Sequence, residues 1–230
     1  ACIVSVAVGV ISFLMIFVIP AFTTMFNSGG AELPGPTAIV MAVSDMFRTK
    51  WHYMLGTAYA SYLVFSRLYA TARGRAVIDG YALKLPVAGP LIRKVSIAKF
   101  SRTLGTLLSS GVALLEGLEI CARTSGNKTV ETAVLNTMEA IKGGDTIAAP
   151  LARGKVFPPM VIQMIDVGEN SGSLDSMLAK IADFYDEEVD TAVTGLTALL
   201  EPALMVFLGL LVGFIVVAMY LPIFQMGSAV

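Results

Sequence analysis

SLDSMLAKIADFYDEEVDTAVTGLTALLEPALMVFLGLLVGFIVVAMYLP, residues 173–222, is the stretch whose reading decides the fold. Its opening, SLDSMLAKIADFYDEEVD, is amphipathic. From Thr191 to Val230 the only charge is Glu201, and no proline interrupts the helix pattern before Pro202. About 20 apolar residues cross a hydrocarbon core about 30 Å thick, so a run this long and apolar reads as a membrane span. The stretch therefore predicts one helix that starts in water and ends across a bilayer. At about 1.5 Å per residue it would be roughly 75 Å long, a rigid link between a soluble helical domain and the membrane.

Working outward, the composition agrees. The chain has 230 residues, 56% hydrophobic and 14% charged, with a mean hydropathy of +0.76. A soluble domain is nearer a quarter charged. The net charge of −1 hides segregation, since 14 of the 16 Lys and Arg lie between Arg67 and Lys180. Cys2 sits in an apolar run and Cys121 in the polar middle, which is no disulfide framework. Ala1 follows no initiator Met and no basic region, so it opens no signal peptide. The expectation is the C-terminal part of a longer protein.

Residues 1–22, ACIVSVAVGVISFLMIFVIPAF, carry no charge and read as a first span, with Pro20 near its end, where a lost hydrogen bond costs least. Residues 23–50 form a short connection. NSGGAELPGPT is a loop by its turn formers, and Thr37 to Phe47 reads as a short interfacial helix or the start of the next span. Residues 51–72 are the second span, WHYMLGTAYASYLVFS plus an extension in which Arg67 snorkels. Trp51, Tyr53 and Tyr69 suit interfacial positions. Residues 67–102 hold Arg67, Arg73, Arg75, Lys84, Arg93, Lys94, Lys99 and Arg102 against one acid, Asp79. That excess marks the cytoplasmic side. The 23–50 loop and the 223–230 tail are then outside, and Ala1 enters from the cytoplasm. No aromatic interleaving accompanies the basic run, so nucleic acid is not an expected partner.

Residues 73–190 read as a cytoplasmic helical bundle, with six helices from Ser96 to Asp190. Ile97, Phe100, Leu104, Leu107 and Leu108 follow helical spacing up to Gly111. A second helix ends near Gly126. Asn127 caps a third, closed by Gly143-Gly144, and Asp145 caps a short fourth ending near Gly154. Pro158 and Pro159 suit the first turn of the fifth, and Ser173 opens the sixth, which continues into the third span at 191–222. The fold class expected is an all-α membrane protein with one six-helix cytoplasmic bundle inserted between its second and third spans.

No catalytic constellation stands out. His52 is the only histidine and lies at a membrane edge, and no GxxxxGK[ST] occurs. No enzyme, cofactor or metal site is expected. In GENSG the glycines read as a helix stop and a tight turn. Asp183, Asp186, Glu187 and Asp190 share one helix face, with Glu188 beside it. That face is either solvated, a docking surface for a basic partner, or a divalent-ion site. Like charges at this spacing repel by a few tenths of a kcal/mol per pair. Glu201-Pro202 opens the last span. A mid-membrane carboxylate costs about 2.5–3.5 kcal/mol, less at the boundary where counting back from Pro222 places Glu201. Glu201 there either reaches water or makes a polar contact among the spans. Pro202 frees a carbonyl and, with Gly195, permits a flexure. The structural or partner-binding candidates are thus Gly111, Gly168, Glu169, Gly172, Asp183, Asp186, Glu187, Asp190, Glu201 and Pro202.

Four stretches carry a resemblance: VIPAFTTMFNSGGAELPGPT (18–37), FSRTLGTLLSSGVALLEGLEI (100–120), FPPMVIQMIDVGENSGSLDSMLAKIADFYDEEVD (157–190), and EPALMV with VAMYLPIFQMG (201–206, 217–227). Together they resemble the polytopic inner-membrane platform proteins shared by type IV pilus assembly and type II secretion systems. AMYLPIFQMG and DFYDEEVD look more like the pilus branch. The resemblance implies three spans in the bacterial inner membrane and two related cytoplasmic domains, the first preceding Ala1. It implies a platform that couples a cytoplasmic hexameric ATPase to pilin movement, with other inner-membrane assembly proteins and further copies of itself as partners. The alternatives are a secretion-system platform or a small oligomeric transporter. One acid at a span boundary gives a transporter little to build from.

Overall fold

The computed structural model describes residues 2–21 and 35–227, and every regular element among them is helical. The described residues form ten helices. They are α1 (Cys2–Phe13, running on through a π turn at Leu14–Val18), α2 (Gly35–Thr49), α3 (Trp51–Ala70), α4 (Ala72–Ala82) and α5 (Ala88–Ser109). Next come α6 (Leu114–Thr124), α7 (Lys128–Lys142), α8 (Ala148–Arg153), α9 (Pro159–Ser171) and α10 (Leu174–Gly227). The chain forms two compact units, Phe65–Leu196 and the pair of segments Ala1–Val64 and Thr197–Val230. Most of the loop expected at NSGGAELPGPT lies outside the described residues.

The 65–196 unit is a helical bundle around one apolar core. Ile97, Phe100 and Leu104 of α5 meet Leu118 of α6, Val130 and Val134 of α7, Leu151 of α8, Val161 and Ile165 of α9 and Leu178 and Ile181 of α10. Each is almost wholly withdrawn from solvent, and full burial of such a side chain is worth about 1.5–3 kcal/mol. The punctuation follows the local chemistry. Asn127 accepts from the N–H groups of Thr129 and Val130 and so caps α7. Pro158 and Pro159 open α9. Gly172 closes it at φ 69°, a left-handed conformation that a Cβ makes costly.

Three features differ from the sequence expectation. The sequence expectation places bundle helices only from Ser96, but the basic stretch ahead of it already holds α4, capped by Thr71, whose hydroxyl accepts from Gly74 N–H. The first bundle helix begins at Ala88, a full two turns ahead of Ser96. And Asp145 does not cap the short α8, whose N-cap position is Ile147. Asp145 pairs with Arg153 at 2.9 Å, because its carboxylate reaches the far end of that helix.

The other unit has its own small core of Met15, Ile19, Val40, Ile215 and Ala218. α2 presents Thr37, Val40 and Ser44 to this core, a spacing of three and four that puts all three on one face. α3 is different. Among its described residues none is buried, and Tyr53, Tyr59 and Tyr62 are each about two-thirds exposed. Among the described residues α10 alone is long and apolar enough to cross a membrane, and Gly9–Ala21 is a shorter apolar helix. On the distal part of α10, Leu199 and Leu210 are each 71% exposed.

Candidate functional site

The strongest polar organisation lies where α5 meets the first turns of α10. α10 gives Leu178, Ile181, Ala182 and Tyr185 to the core, and their 3–4 spacing turns Asp183, Asp186, Glu187 and Asp190 outward. Gly105 of α5 lets the two helices approach. A Cβ there would stand 3.2 Å from Leu178 Cβ.

α5 answers the acids with bases. The Arg102 guanidinium donates to Asp183 at 2.8 Å and to Asp186 at 2.5 Å. Lys94 donates to Glu188 at 2.6 Å. Residue number rises along α5 as it falls along α10, so the paired helices run in opposite directions. Donation to Asp186 and Asp183 pushes the Arg102 pKa further above its usual value. Burial, then the charge of Glu188, raises the Tyr185 hydroxyl above its usual range. The mutual repulsion of the acids is therefore offset from across the interface. Glu187 and Asp190 stand outside these pairs and face solvent. No group of three or more potential ligands that could hold a metal occurs among the described residues.

Beside this strip is a groove of about 400 Å³ between the 83–87 turn, the start of α5 and Tyr185. Lys84, Arg93 and Lys94 supply its charge, and Leu83, Pro90 and Ile97 its apolar wall.

The GENSG candidates have a structural role. Both Glu169 carboxylate oxygens accept the Ile147 N–H, at 3.0 and 2.9 Å, so Glu169 serves the start of α8 from 22 residues away. Gly168 allows the α9–α10 turn to close, since a Cβ would stand 3.0 Å from Leu174 Cα. Gly111 holds φ 83° after α5. Glu201 and Pro202 lie within α10, both exposed, with the helix unbroken around them.

Sequence reasoning passed over Asp79, which is 5% exposed. It accepts the Lys128 N–H at the start of α7 (2.7 Å) and the Tyr69 hydroxyl (3.3 Å), with Arg75 at 3.8 Å. One acid among eight bases was the available signal. Arg102 and Lys94 carried no comparable mark.

A family described as "Type II secretion system (T2SS), protein F" matches residues 100–222, which include the second half of α5, the acidic strip and most of α10. The chain belongs to this family. It is 48% identical over 228 residues to the type IV pilus assembly protein PilC of Myxococcus xanthus, covering 99% of this chain and 55% of that protein. Two relatives from Aeromonas hydrophila separate the branches. The type IV pilus assembly protein TapC is 43% identical over 100% of this chain and 56% of its own length. The type II secretion system protein F is 34% identical over 98% and 58%. The chain spans about half the length of these curated relatives of the family.

Proposed function

We propose that this chain is part of the inner-membrane platform of a type IV pilus assembly machine. The observation that carries the reading is the within-organism contrast: 43% identity to the pilus protein against 34% to the secretion protein, both over nearly the whole chain. The spans proposed are 1–22, 51–72 and 191–222, with 73–190 as the cytoplasmic domain, 23–50 and 223–230 outside, and the N-terminal side cytoplasmic. The outward apolar side chains of α3 and of distal α10 support this, because lipid would cover surface that water would not tolerate.

In this reading the acidic strip docks a basic surface of a cytoplasmic hexameric ATPase, with Glu187 and Asp190 as the contacts left over by Arg102 and Lys94. Motor movement of the bundle passes along α10 to pilin subunits beside the last span. A helix assignment unbroken from Leu174 to Gly227 supports that transmission. The platform works as an oligomer alongside other inner-membrane assembly proteins.

Deleting the gene in its host is expected to remove surface pili while type II export of enzymes continues. Crosslinkers placed at Leu210 are expected to capture pilin, and crosslinkers at Glu187 the ATPase. Pili that persist while export fails would move the protein to the secretion branch. Solute flux through the purified protein in liposomes, without pilus loss, would favour a transporter.

A further inference from the structure

Two hydroxyls of α2 make unusual bonds within the 1–64/197–230 unit. Thr37, 5% exposed, donates to the Ala218 carbonyl of α10 at 2.5 Å. Ser44, 2% exposed, donates to the Met15 carbonyl of α1 at 2.5 Å. Helical carbonyls are ordinarily occupied by the N–H four residues later. Both of these have lost that donor. Residue 222, four after Ala218, is proline and has no N–H. For Met15, the α-register donor is Ile19, but the Ile19 N–H goes to Leu14 instead, in the wide register of the π turn. The π-register donor would be residue 20, five after Met15, and that is Pro20.

We propose that α2 is a hydroxyl clasp: Thr37 and Ser44 supply the hydrogen bonds that Pro222 and Pro20 cannot, docking α2 between α1 and α10 at hydrocarbon depth. This rests on the reading of α1 and α10 as spans. In hydrocarbon no water can reach an orphaned carbonyl, so a freed backbone acceptor must find a donor within the protein. α2 presents Thr37, Val40 and Ser44 as one stripe, hydroxyls at both ends and an apolar contact between. The clasp makes α2 a segment that dips into the bilayer from the outer side, where the 23–50 connection lies, rather than a helix resting on the outer surface. It also gives each proline a purpose, since a bare carbonyl on each neighbour sets the register at which α2 docks.

The test is a rescue series in the full-length protein in mild detergent, read as the folded-to-unfolded ratio during titration with a denaturing detergent. Thr37→Val keeps the shape and removes the hydroxyl. The expected loss is roughly threefold to tenfold in that ratio, the range of interhelical hydrogen bonds in membranes. Thr37→Ser is expected to retain the wild-type value. Pro222→Ala restores a backbone N–H to the Ala218 carbonyl, so Thr37→Val made in that background is expected to cost nothing further. Equal losses in both backgrounds would mean that Thr37 matters through packing alone, and the clasp is wrong. Ser44→Ala tested against Pro20→Ala checks the other end by the same comparison. Leu210→Cys, with Cys2 replaced by Ser, is labelled in parallel with a membrane-impermeant maleimide in intact membranes. Labelling would overturn the span reading itself, whereas protection together with a failed rescue would overturn the clasp alone.

Discussion

Glu169→Ala separates a structural role from a partner-binding one at a residue in the last helical turn of α9. The carboxylate accepts the Ile147 N–H through both oxygens, and Ile147 is only 2% exposed. Alanine leaves that N–H buried with no replacement acceptor, which costs about 1–3 kcal/mol. Loss of an N-terminal helix cap costs about 1 kcal/mol by itself, and loss of negative charge at a helix start about 0.3–1 kcal/mol. A value of about 2 kcal/mol satisfies both routes and corresponds to a roughly 30-fold rise in local opening of α8. Glu169→Gln keeps one oxygen acceptor but loses the charge, so about 1 kcal/mol and roughly fivefold is expected. The assay is amide hydrogen exchange, resolved by peptide, on the full-length protein in detergent. Faster exchange should be confined to Ile147–Arg153 and the α9–α10 turn, with α5 and α6 unchanged. If α8 exchanges at the wild-type rate in Glu169→Ala, the cap is not what holds that segment. Glu169 would then have to be explained by something it binds.

Three further outcomes follow from the bundle. Gly172→Ala forces a side chain into φ 69° and should destabilise the bundle by about 1–2 kcal/mol in denaturant titration, whereas Gly209→Ala in the open face of α10 should not. Leu178→Ala removes a side chain with 0% exposure and should cost about 3 kcal/mol, detected as a lower unfolding midpoint. Burial pushes the Cys121 thiol from 9.0 up to about 12. Its contribution is therefore complete below pH 9, where both states hold the proton. Between pH 9 and 12 only the unfolded thiol ionises, so stability falls by about 1.4 kcal/mol per pH unit. Cys121→Ala should flatten that alkaline limb of the stability curve by this amount, as measured by unfolding at stepped pH.

How the helices are punctuated was legible residue by residue. Glycines at 111, 126, 144 and 172 all adopt positive φ, Asn127 caps α7, and Pro159 starts α9. These signals act within about four residues, so the sequence contains the whole interaction. The length and apolarity of 174–221 were equally plain, because crossing distance is a matter of composition and rise per residue. The long-range partners were not legible. Asp145 was the natural local cap for α8, yet Glu169 does that work from the next helix. Arg102 finds Asp183 and Asp186 at sequence separations of 81 and 84, and Thr37 finds Ala218 at 181. A donor's choice of acceptor over such distances depends on how the apolar faces pack. Periodicity says which residues turn inward, and only the packed bundle says which of them meet.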